Sequence, residues 1–492
     1  MDQLPGIPVD PPLLRKEEID INDGDPATER MLVQLQANIL KYHGRQHAWQ
    51  VFLTFLNGQE EAAANWIRSY ADRITSAKTQ LKDAEHRKAD PRYDGGVLTC
   101  FFLSRQGYQY LGYDMDKNDQ PEHNRWFGAT LQSMKDPQLA ARLGDPKMET
   151  WDDMYQQDMH VMVLLADSNK DRLLQELQTI LAQTEKFIVK KTNDHLPIKK
   201  ADDILFVQKG EALRNADGFS IEHFGYVDGI SQPRFLKGEA EPGKRWNDII
   251  WRKALLVEDK VPGYQDCFGS FLVFRKLEQN VQRFRQAIEE LAALLSAGEV
   301  NEEAKKLAGA YVIGRFSNGT PVVKHPVEIP VRSGEDFDND FDYKYDATAT
   351  KCPFHAHTRV VCPRDIDPAS WLRRIVRRGI PYDEAGRNND MTWFPSQDVG
   401  LLFMCYQANI LHQFENLQAT WANSGNVGNV KKVGIDSIAG QGAMNARPQQ
   451  WPAKWDKDDK LHGFSFPATV TLKGGEYFFA PSIPFLRHLP PF

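Results

Sequence analysis

Short apolar runs alternate with amphipathic segments along the chain, and this alternation is the first guide to the fold. Runs rich in Val, Leu, Ile and Phe predict buried strands at residues 50–55, 96–103, 160–166, 270–275 and 399–406. Segments with helix-like spacing and end signals predict helices at residues 31–40, 60–77, 171–185, 281–295, 368–378 and 410–421. This order of elements predicts an α+β fold with a mostly antiparallel sheet.

Both halves of the 492-residue chain repeat a similar order of elements, which predicts two related lobes. A stretch rich in Pro, Gly and charged residues at 237–263 separates the halves. We therefore expect an N-terminal arm at residues 1–28, an N-terminal lobe at 29–236 and a C-terminal lobe at 237–492. The C-terminal lobe is expected to carry a helical insertion at residues 278–310.

Composition and charge restrict the class of protein. Hydrophobic residues make up 41% and charged residues 26% of the chain, which is typical of a soluble globular protein. The net charge of −7 disfavours a nucleic-acid binder. Five cysteines without a C-x-x-C pair favour a reducing compartment over a disulfide framework or a zinc ribbon. With no signal peptide and no membrane-spanning run evident, we expect a cytoplasmic protein without membrane partners.

The segment 224–233 places Asp228 between Gly225 and Gly229. Glycine permits tight turns and close approach of the backbone to a ligand. An aspartate on such a turn either points into a cavity or closes an Asx-type turn with its own backbone. The segment on its own leaves both interpretations open.

A second segment, 352–364, contains His355 and His357. On a strand the two imidazoles would share one face and could chelate zinc, although no third ligand is evident. One of them could instead be the single axial ligand of a haem iron. A hydrogen-bonded structural histidine is the third interpretation.

Four arginines lie within residues 373–378, at the end of a predicted helix. Cations at a helix C-terminus are favourable to the helix dipole, so the cluster needs no ligand. Alternatively, the guanidinium groups form a clamp for carboxylates or for a developing oxyanion.

Taken together and in this order, these segments resemble the dye-decolorising peroxidase family of haem enzymes. The G-x-x-D-G motif corresponds to Gly225, Asp228 and Gly229, and the proximal-histidine segment to Ala356-His357 with Arg359 and Pro363-Arg364. The distal-arginine segment corresponds to residues 377–381, and further matches lie at residues 36–40, 314–321, 339–341 and 400–403. The length and the insertion at 278–310 are similar to the longer branch of the family, which includes fungal and some bacterial members.

The resemblance implies a fold and a cofactor. It implies two ferredoxin-like lobes with antiparallel sheets and one haem b per chain, bound between the sheet and the helices of the C-terminal lobe. His357 is implied as the proximal iron ligand, rather than His355, because it precedes Thr358-Arg359. Glu415, on a late apolar helix, is our candidate for the carboxylate that orients the ring of His357.

The resemblance also implies catalytic and haem-contacting residues. Asp228 would move the peroxide proton, and Arg378 would stabilise the negative charge that develops as the O–O bond breaks. The implied haem contacts are Arg359, Arg364 and Arg378 at the propionates, Gly229, Ile230 and Ser231 against the porphyrin, and Leu401 and Phe403 in the distal pocket.

The expected function is therefore a haem-dependent peroxidase that reduces hydrogen peroxide and oxidises dyes, phenols or similar one-electron donors through a ferryl intermediate. Bulky aromatic substrates would be oxidised at the surface through a Trp or Tyr relay. The composition also allows a homo-oligomer. Two alternatives stay open at this point: a haem-binding or haem-handling protein without significant turnover, and a zinc hydrolase that uses His355 and His357.

Overall fold

The structure is a computed structural model, and it describes residues 18–22, 24–116, 127–191, 201–237, 239, 252–332, 337–364, 373–425, 434–441, 449–457 and 461–490. The strands are β1 (His47–Leu53), β2 (Leu98–Ser104), β3 (Val161–Asp167), β4 (Phe206–Glu211), β5 (Leu213–Arg214), β6 (Ser220–Ile221), β7 (Val257–Glu258), β8 (Phe268–Gln279), β9 (Val376–Arg377), β10 (Ile380–Asp383), β11 (Val399–Gln407), β12 (Gln449–Pro452), β13 (Leu461–Phe464) and β14 (Val470–Ala480).

Helices and short turns connect the strands. The α-helices are α1 (Pro26–Gln34), α2 (Glu60–Tyr70), α3 (Ala77–Ala89), α4 (Arg105–Tyr110), α5 (Phe127–Thr130), α6 (Pro137–Leu143), α7 (Asp153–Gln156), α8 (Lys170–Thr184), α9 (Ala201–Ile204), α10 (Val281–Leu295), α11 (Glu302–Ile313), α12 (His357–Val361) and α13 (Ile483–Arg487). Short 3₁₀ turns lie at Ala71–Arg73, Met148–Thr150 and Arg252–Ala254, and a π-helix lies at Leu411–Ala422. In the part of the chain that is described, no helix is both long enough and apolar enough to cross a membrane.

One antiparallel sheet of ten strands joins the two halves, and its main path is β10-β11-β8-β14-β2-β3-β1-β4. Within each half the order is second, third, first and fourth strand, which is the order of a ferredoxin-like lobe. The last strand, β14, pairs with β8 along its length and with β2 through Phe478 and Phe479. The predicted α+β fold with two ferredoxin-like lobes is confirmed.

The sequence explains why these segments form these elements. Every residue of β1, β2 and β3 is buried, as expected for strands covered on both faces. Helix α10 begins at Val281, after the cap residue Asn280, whose side chain accepts the backbone N–H of Arg283. Its residues Phe284, Ile288 and Leu291 then form one buried face, at the spacing of three and four that predicts a helix.

Several predicted elements differ from the structure. The predicted helix at 31–40 is α1, which begins earlier, at Pro26 after the capping Asp25, and ends at Gln34. The expected single inserted helix at 278–310 is two helices, α10 and α11. The predicted lobe boundary at 236/237 lies beside residues outside the described part, so it stays a prediction.

The predicted helix at 368–378 is wrong where the structure describes it. Residues 368–372 lie outside the described part, and Val376–Arg377 forms β9, which pairs with Tyr406 and Cys405 of β11. Pairing with β11 gives the backbone N–H and C=O groups of this segment their hydrogen-bond partners. In such an extended backbone, the neighbouring side chains of Arg377 and Arg378 point to opposite sides. The His-x-His segment is likewise not a strand, because His357 is the first residue of α12.

Candidate active site

A cavity of about 290 Å³ lies in the C-terminal lobe between the sheet and the helices. Strands β8 and β11 form one part of its wall, and α11, α12 and the π-helix form another. Most of the lining surface is apolar; the apolar lining includes Leu277, Ile313, Val361, Leu401, Phe403, Phe414, Leu417 and Ile438. This is the position in which the resemblance places a haem.

Asp228 is held at the cavity by a small hairpin. Its backbone N–H donates to the carbonyl of Ser220, at 2.9 Å, and the turn before it requires Gly225, whose φ is +93°. The carboxylate oxygen Oδ1 accepts the backbone N–H of Gly229, at 2.6 Å, and the Nη1–H of Arg377, at 2.9 Å. The motif therefore presents its aspartate to the cavity, and the carboxylate binds the N–H of the next residue rather than the N–H two residues on that an Asx turn uses.

The arginine beside Asp228 is Arg377, which corrects the prediction of Arg378. Arg377 lines the cavity, and its Nη2 donates to the carbonyl of Ile230 at 2.9 Å. Arg378 does not line the cavity and is only 4% exposed. Its guanidinium donates to the carbonyls of Asn38, Ile39 and Arg377.

Burial lowers the pKa of Arg378 to about 10. The group is thus a cation held by backbone carbonyls in the protein interior. The predicted roles of Arg378, in catalysis and at a haem propionate, do not agree with this position.

His357 lines the cavity and pairs with a carboxylate that the sequence did not indicate. Its Nδ1 lies 3.0 and 3.1 Å from the two carboxylate oxygens of Asp436. Asp436 is fully buried and also accepts the backbone N–H groups of Ile438 and Ala439, each at 2.8 Å. A carboxylate at Nδ1 fixes the ring tautomer and leaves Nε2 to bind a metal ion.

Glu415, the predicted partner of His357, is elsewhere. Its carboxylate pairs with Arg142 of α6, and burial raises its pKa. The π-helix turns this side chain toward the N-terminal lobe, whereas Phe414 and Leu417 line the cavity. The prediction of Glu415 is therefore wrong.

His355 is a structural histidine in this fold. It is 1% exposed, and its ring packs edge-to-face on Trp451 with the ring centroids 4.2 Å apart. It is not among the residues that line the cavity. The two imidazoles of the His-x-His segment thus lie in different environments, which does not favour joint zinc chelation.

Of the arginines predicted to reach haem propionates, Arg364 lines the cavity and Arg359 does not. Arg364 donates to Ser231 Oγ at 3.0 Å and to the carbonyl of Phe341 at 3.1 Å. Arg359, 4% exposed, donates to Asp346 at 2.8 Å and belongs to the core under α12. The prediction for Arg359 is corrected, because its charge is neutralised by a buried carboxylate away from the cavity.

Of the other residues predicted to contact the haem, Ile230, Ser231, Leu401 and Phe403 line the cavity. Their contacts with a haem stay a prediction. Gly229 does not line it: the residue is exposed, and its N–H is used to hold Asp228.

Sequence reasoning missed several polar residues of the cavity wall, namely Glu222, Gln279, Arg315, Arg374 and Arg377. Arg374 and Arg377 belong to the arginine cluster that the sequence singled out, so that signal was present but assigned to the wrong member. Arg315 belongs to the matched segment 314–321, but it was given no role at the site. Asp436 carried no local signal, because it lies 79 positions from His357 in the chain.

The residues present fit a haem. An imidazole with Nδ1 bound to a carboxylate would supply a nitrogen ligand to the haem iron, and an apolar wall suits a porphyrin. Arg315 and Arg364 both donate to the side-chain oxygen of Asn339, so two cations at the wall share one neutral acceptor. Such cations are suited to the carboxylates of a propionate-bearing ligand.

Known proteins are similar to this chain in sequence and in fold. Residues 252–433 match the family model described as Dyp-type peroxidase, C-terminal. The chain is 32% identical to the multifunctional dye peroxidase DyP2 of Amycolatopsis sp., over 95% of this chain and 97% of that protein. The DyP2 structure superposes with a TM-score of 0.79, covering 96% of this chain and 98% of that one.

Two further structures are similar. A DyP-type peroxidase from Anabaena sp. has a TM-score of 0.82 and 36% identity, covering 97% of this chain and 98% of that one. A fungal DyP-type peroxidase from Auricularia auricula-judae, at 23% identity and a TM-score of 0.73 over 93% of this chain and 98% of that one, shows the fold alone.

Proposed function

The chain belongs to the dye-decolorising peroxidase family, and from this we propose a haem b enzyme whose active site is the cavity that contains Asp228 and His357. It is an enzyme of the dye-decolorising type, with haem-dependent peroxidase activity on dyes. The assignment of residues to roles, the haem type and the wider set of reducing substrates are parts of the proposal.

The observation that carries the proposal is the presence of two polar pairs on one cavity. Arg377 with Asp228 is a charged pair suited to peroxide, and Asp436 with His357 is a pair suited to iron. A protein that only binds or carries haem needs the second pair but not the first. The combination favours peroxidase turnover over the haem-handling alternative.

We propose that His357 holds the haem iron through Nε2, with Asp436 keeping the ring in place and increasing its basicity. Arg364, Arg315 and Arg374 are the cavity cations that would face the haem propionates. When bound, the haem supplies the redox chemistry of peroxide reduction and of one-electron oxidation.

In this proposal, Asp228 transfers the proton. Its carboxylate takes the proton from one oxygen of hydrogen peroxide and returns it to the other oxygen, which leaves as water. Arg377 holds the carboxylate in place at 2.9 Å and offers a fixed positive charge to the peroxide oxygens. Leu401 and Phe403 limit the water that reaches this part of the cavity.

Phenols and similar aromatic one-electron donors are the proposed substrates beside dyes. Donors too large for the cavity would be oxidised at a surface Trp or Tyr. We also propose a cytoplasmic location, which is supported by the lack of a disulfide among the five cysteines, all of which lie in the described part of the chain. Self-association into a homo-oligomer is a further part of the proposal and can be measured by light scattering.

Two measurements test the function. The purified protein reconstituted with haem should show a Soret band, and hydrogen peroxide should then drive decolorisation of an anthraquinone dye and oxidation of a phenol. Asp228→Asn should keep the Soret band but slow the peroxide reaction about 10²-fold or more, as expected for loss of a general acid–base group. A Soret band with no peroxide-dependent oxidation would favour the haem-handling alternative instead.

A further inference from the structure

One carboxyl group on the cavity wall has no role in the mechanism above. Glu222 lines the cavity, six residues before Asp228. Its carboxylate accepts the backbone N–H of Phe224, at 2.8 Å, and that of Tyr226, at 3.0 Å. It also accepts Nε2 of Gln279, on the neighbouring strand β8. Three donors thus converge on one half-buried side chain.

These contacts lie at the tip of the hairpin that carries Asp228. Ile221 bridges Val227, and the N–H of Gly225 closes the turn on the carbonyl of Glu222 at 2.9 Å. Two further N–H groups at the tip point inward, to the Glu222 carboxylate, rather than to a strand partner. The carboxylate therefore replaces the missing backbone partners and fixes the conformation of the tip.

The ionisable groups around Glu222 affect the charge of its carboxyl group. Burial raises the pKa of Glu222, and the nearby negative charge of Asp228 contributes to the rise. Arg387, Arg285, His223 and Tyr226 are further ionisable groups near the tip. Arg285 donates to the carbonyl of Phe224 at 2.9 Å, and Arg387 donates to the carbonyl of His223 at 3.0 Å.

Gln279, the side-chain donor to Glu222, is itself held in a buried position. It is 5% exposed and lines the cavity, and its amide oxygen Oε1 is buried without a hydrogen-bond partner. Burying an unpaired acceptor is costly, and the amide nitrogen of the same side chain donates to the Glu222 carboxylate.

We propose that Glu222 is a positioning residue, which holds the hairpin tip so that Asp228 stays aligned with Arg377 at the cavity. The inference rests on the proposed role of Asp228 in the peroxide reaction. It adds a residue outside the G-x-x-D-G motif, and it names Gln279 as the side chain that orients the Glu222 carboxylate.

The test compares Glu222→Gln with the wild-type holoenzyme. Gln offers one acceptor oxygen where Glu offers two, so a donor at the tip loses its partner. We expect the second-order rate constant with hydrogen peroxide to fall about tenfold, the effect of one charge-assisted hydrogen bond. Haem affinity and the Soret maximum should not change.

The matched control is Glu176→Gln, which alters a buried carboxylate paired with Arg73 in the N-terminal lobe. This control should lower the denaturation midpoint without altering the rate constant with hydrogen peroxide. If Glu222→Gln behaves like the control, Glu222 is only structural and the inference is refuted.

A second variant keeps the test decisive should Glu222→Gln not fold. Gln279→Leu removes one donor and leaves both backbone contacts of Glu222, so a smaller fall in rate, about threefold, is expected; an unchanged rate would overturn the inference. Asp228→Asn separates the two proposals. A rate that is slowed in Asp228→Asn but normal in Glu222→Gln rejects only the inference, whereas a normal rate in Asp228→Asn rejects the proton role itself.

Discussion

Arg377 lies at the cavity and its neighbour Arg378 lies in the protein interior, so variants of the two test the assignment of the site. The Arg377 side chain is 35% exposed and pairs with Asp228, itself 34% exposed, so Arg377→Ala should cost about 0–1 kcal/mol of folding free energy. Loss of a fixed charge at a reacting centre should slow the peroxide reaction about 10²–10³-fold, equivalent to about 3–4 kcal/mol. The variant should therefore be stable and nearly inactive.

The opposite result is expected for Arg378→Ala. Its guanidinium satisfies three backbone carbonyls, and each buried polar group left without a partner costs about 1–3 kcal/mol. The loss of folding free energy should be about 3 kcal/mol or more. The folded fraction should react with peroxide at a rate much closer to wild type than that of Arg377→Ala.

Two measurements on each variant decide between the arginines. Urea denaturation gives the change in stability, and stopped-flow absorbance at the Soret band gives the second-order rate constant with hydrogen peroxide, expressed per bound haem. Lysine variants at both positions show whether charge alone is sufficient. The reasoning is refuted if Arg378→Ala is stable and unreactive while Arg377→Ala reacts normally.

Three further predictions follow from single contacts. His357→Ala should lose the normal Soret spectrum and His355→Ala should keep it; the reverse result would exchange the two assignments. Asp436→Asn should weaken haem binding or activity about 10–100-fold, measured by haem titration and by dye oxidation, because the ring of His357 loses its anionic partner. Burial raises the pKa of Asp259 to about 6, so folding favours its protonated form. Its contribution is complete below about pH 4 and is lost as the pH rises through 6, a change of about 3 kcal/mol, and Asp259→Asn should remove this part of the pH dependence of urea denaturation.

Much of the fold could be predicted because its signals are local. Fully buried strands such as β3 appear as continuous apolar runs, and helices such as α10 repeat apolar residues at three and four. The residues at which helices begin and end were harder to predict. The cap of α1 at Asp25 and the break between α10 and α11 each depend on a few polar residues. The segment at 376–377 was misassigned because its strand exists only through pairing with β11.

The sequence by itself determined the family, the two-lobed α+β fold, and the roles expected of Asp228 and His357, since these depend on residue types in a fixed order. Only the tertiary structure decided between Arg377 and Arg378, because successive residues on a strand face opposite sides and the strand's position on the sheet edge sets which side is the cavity. It also decided that Asp436, and not Glu415, pairs with His357. Contacts between residues far apart in the chain depend on packing, so the spacing of residues within a short segment does not predict them.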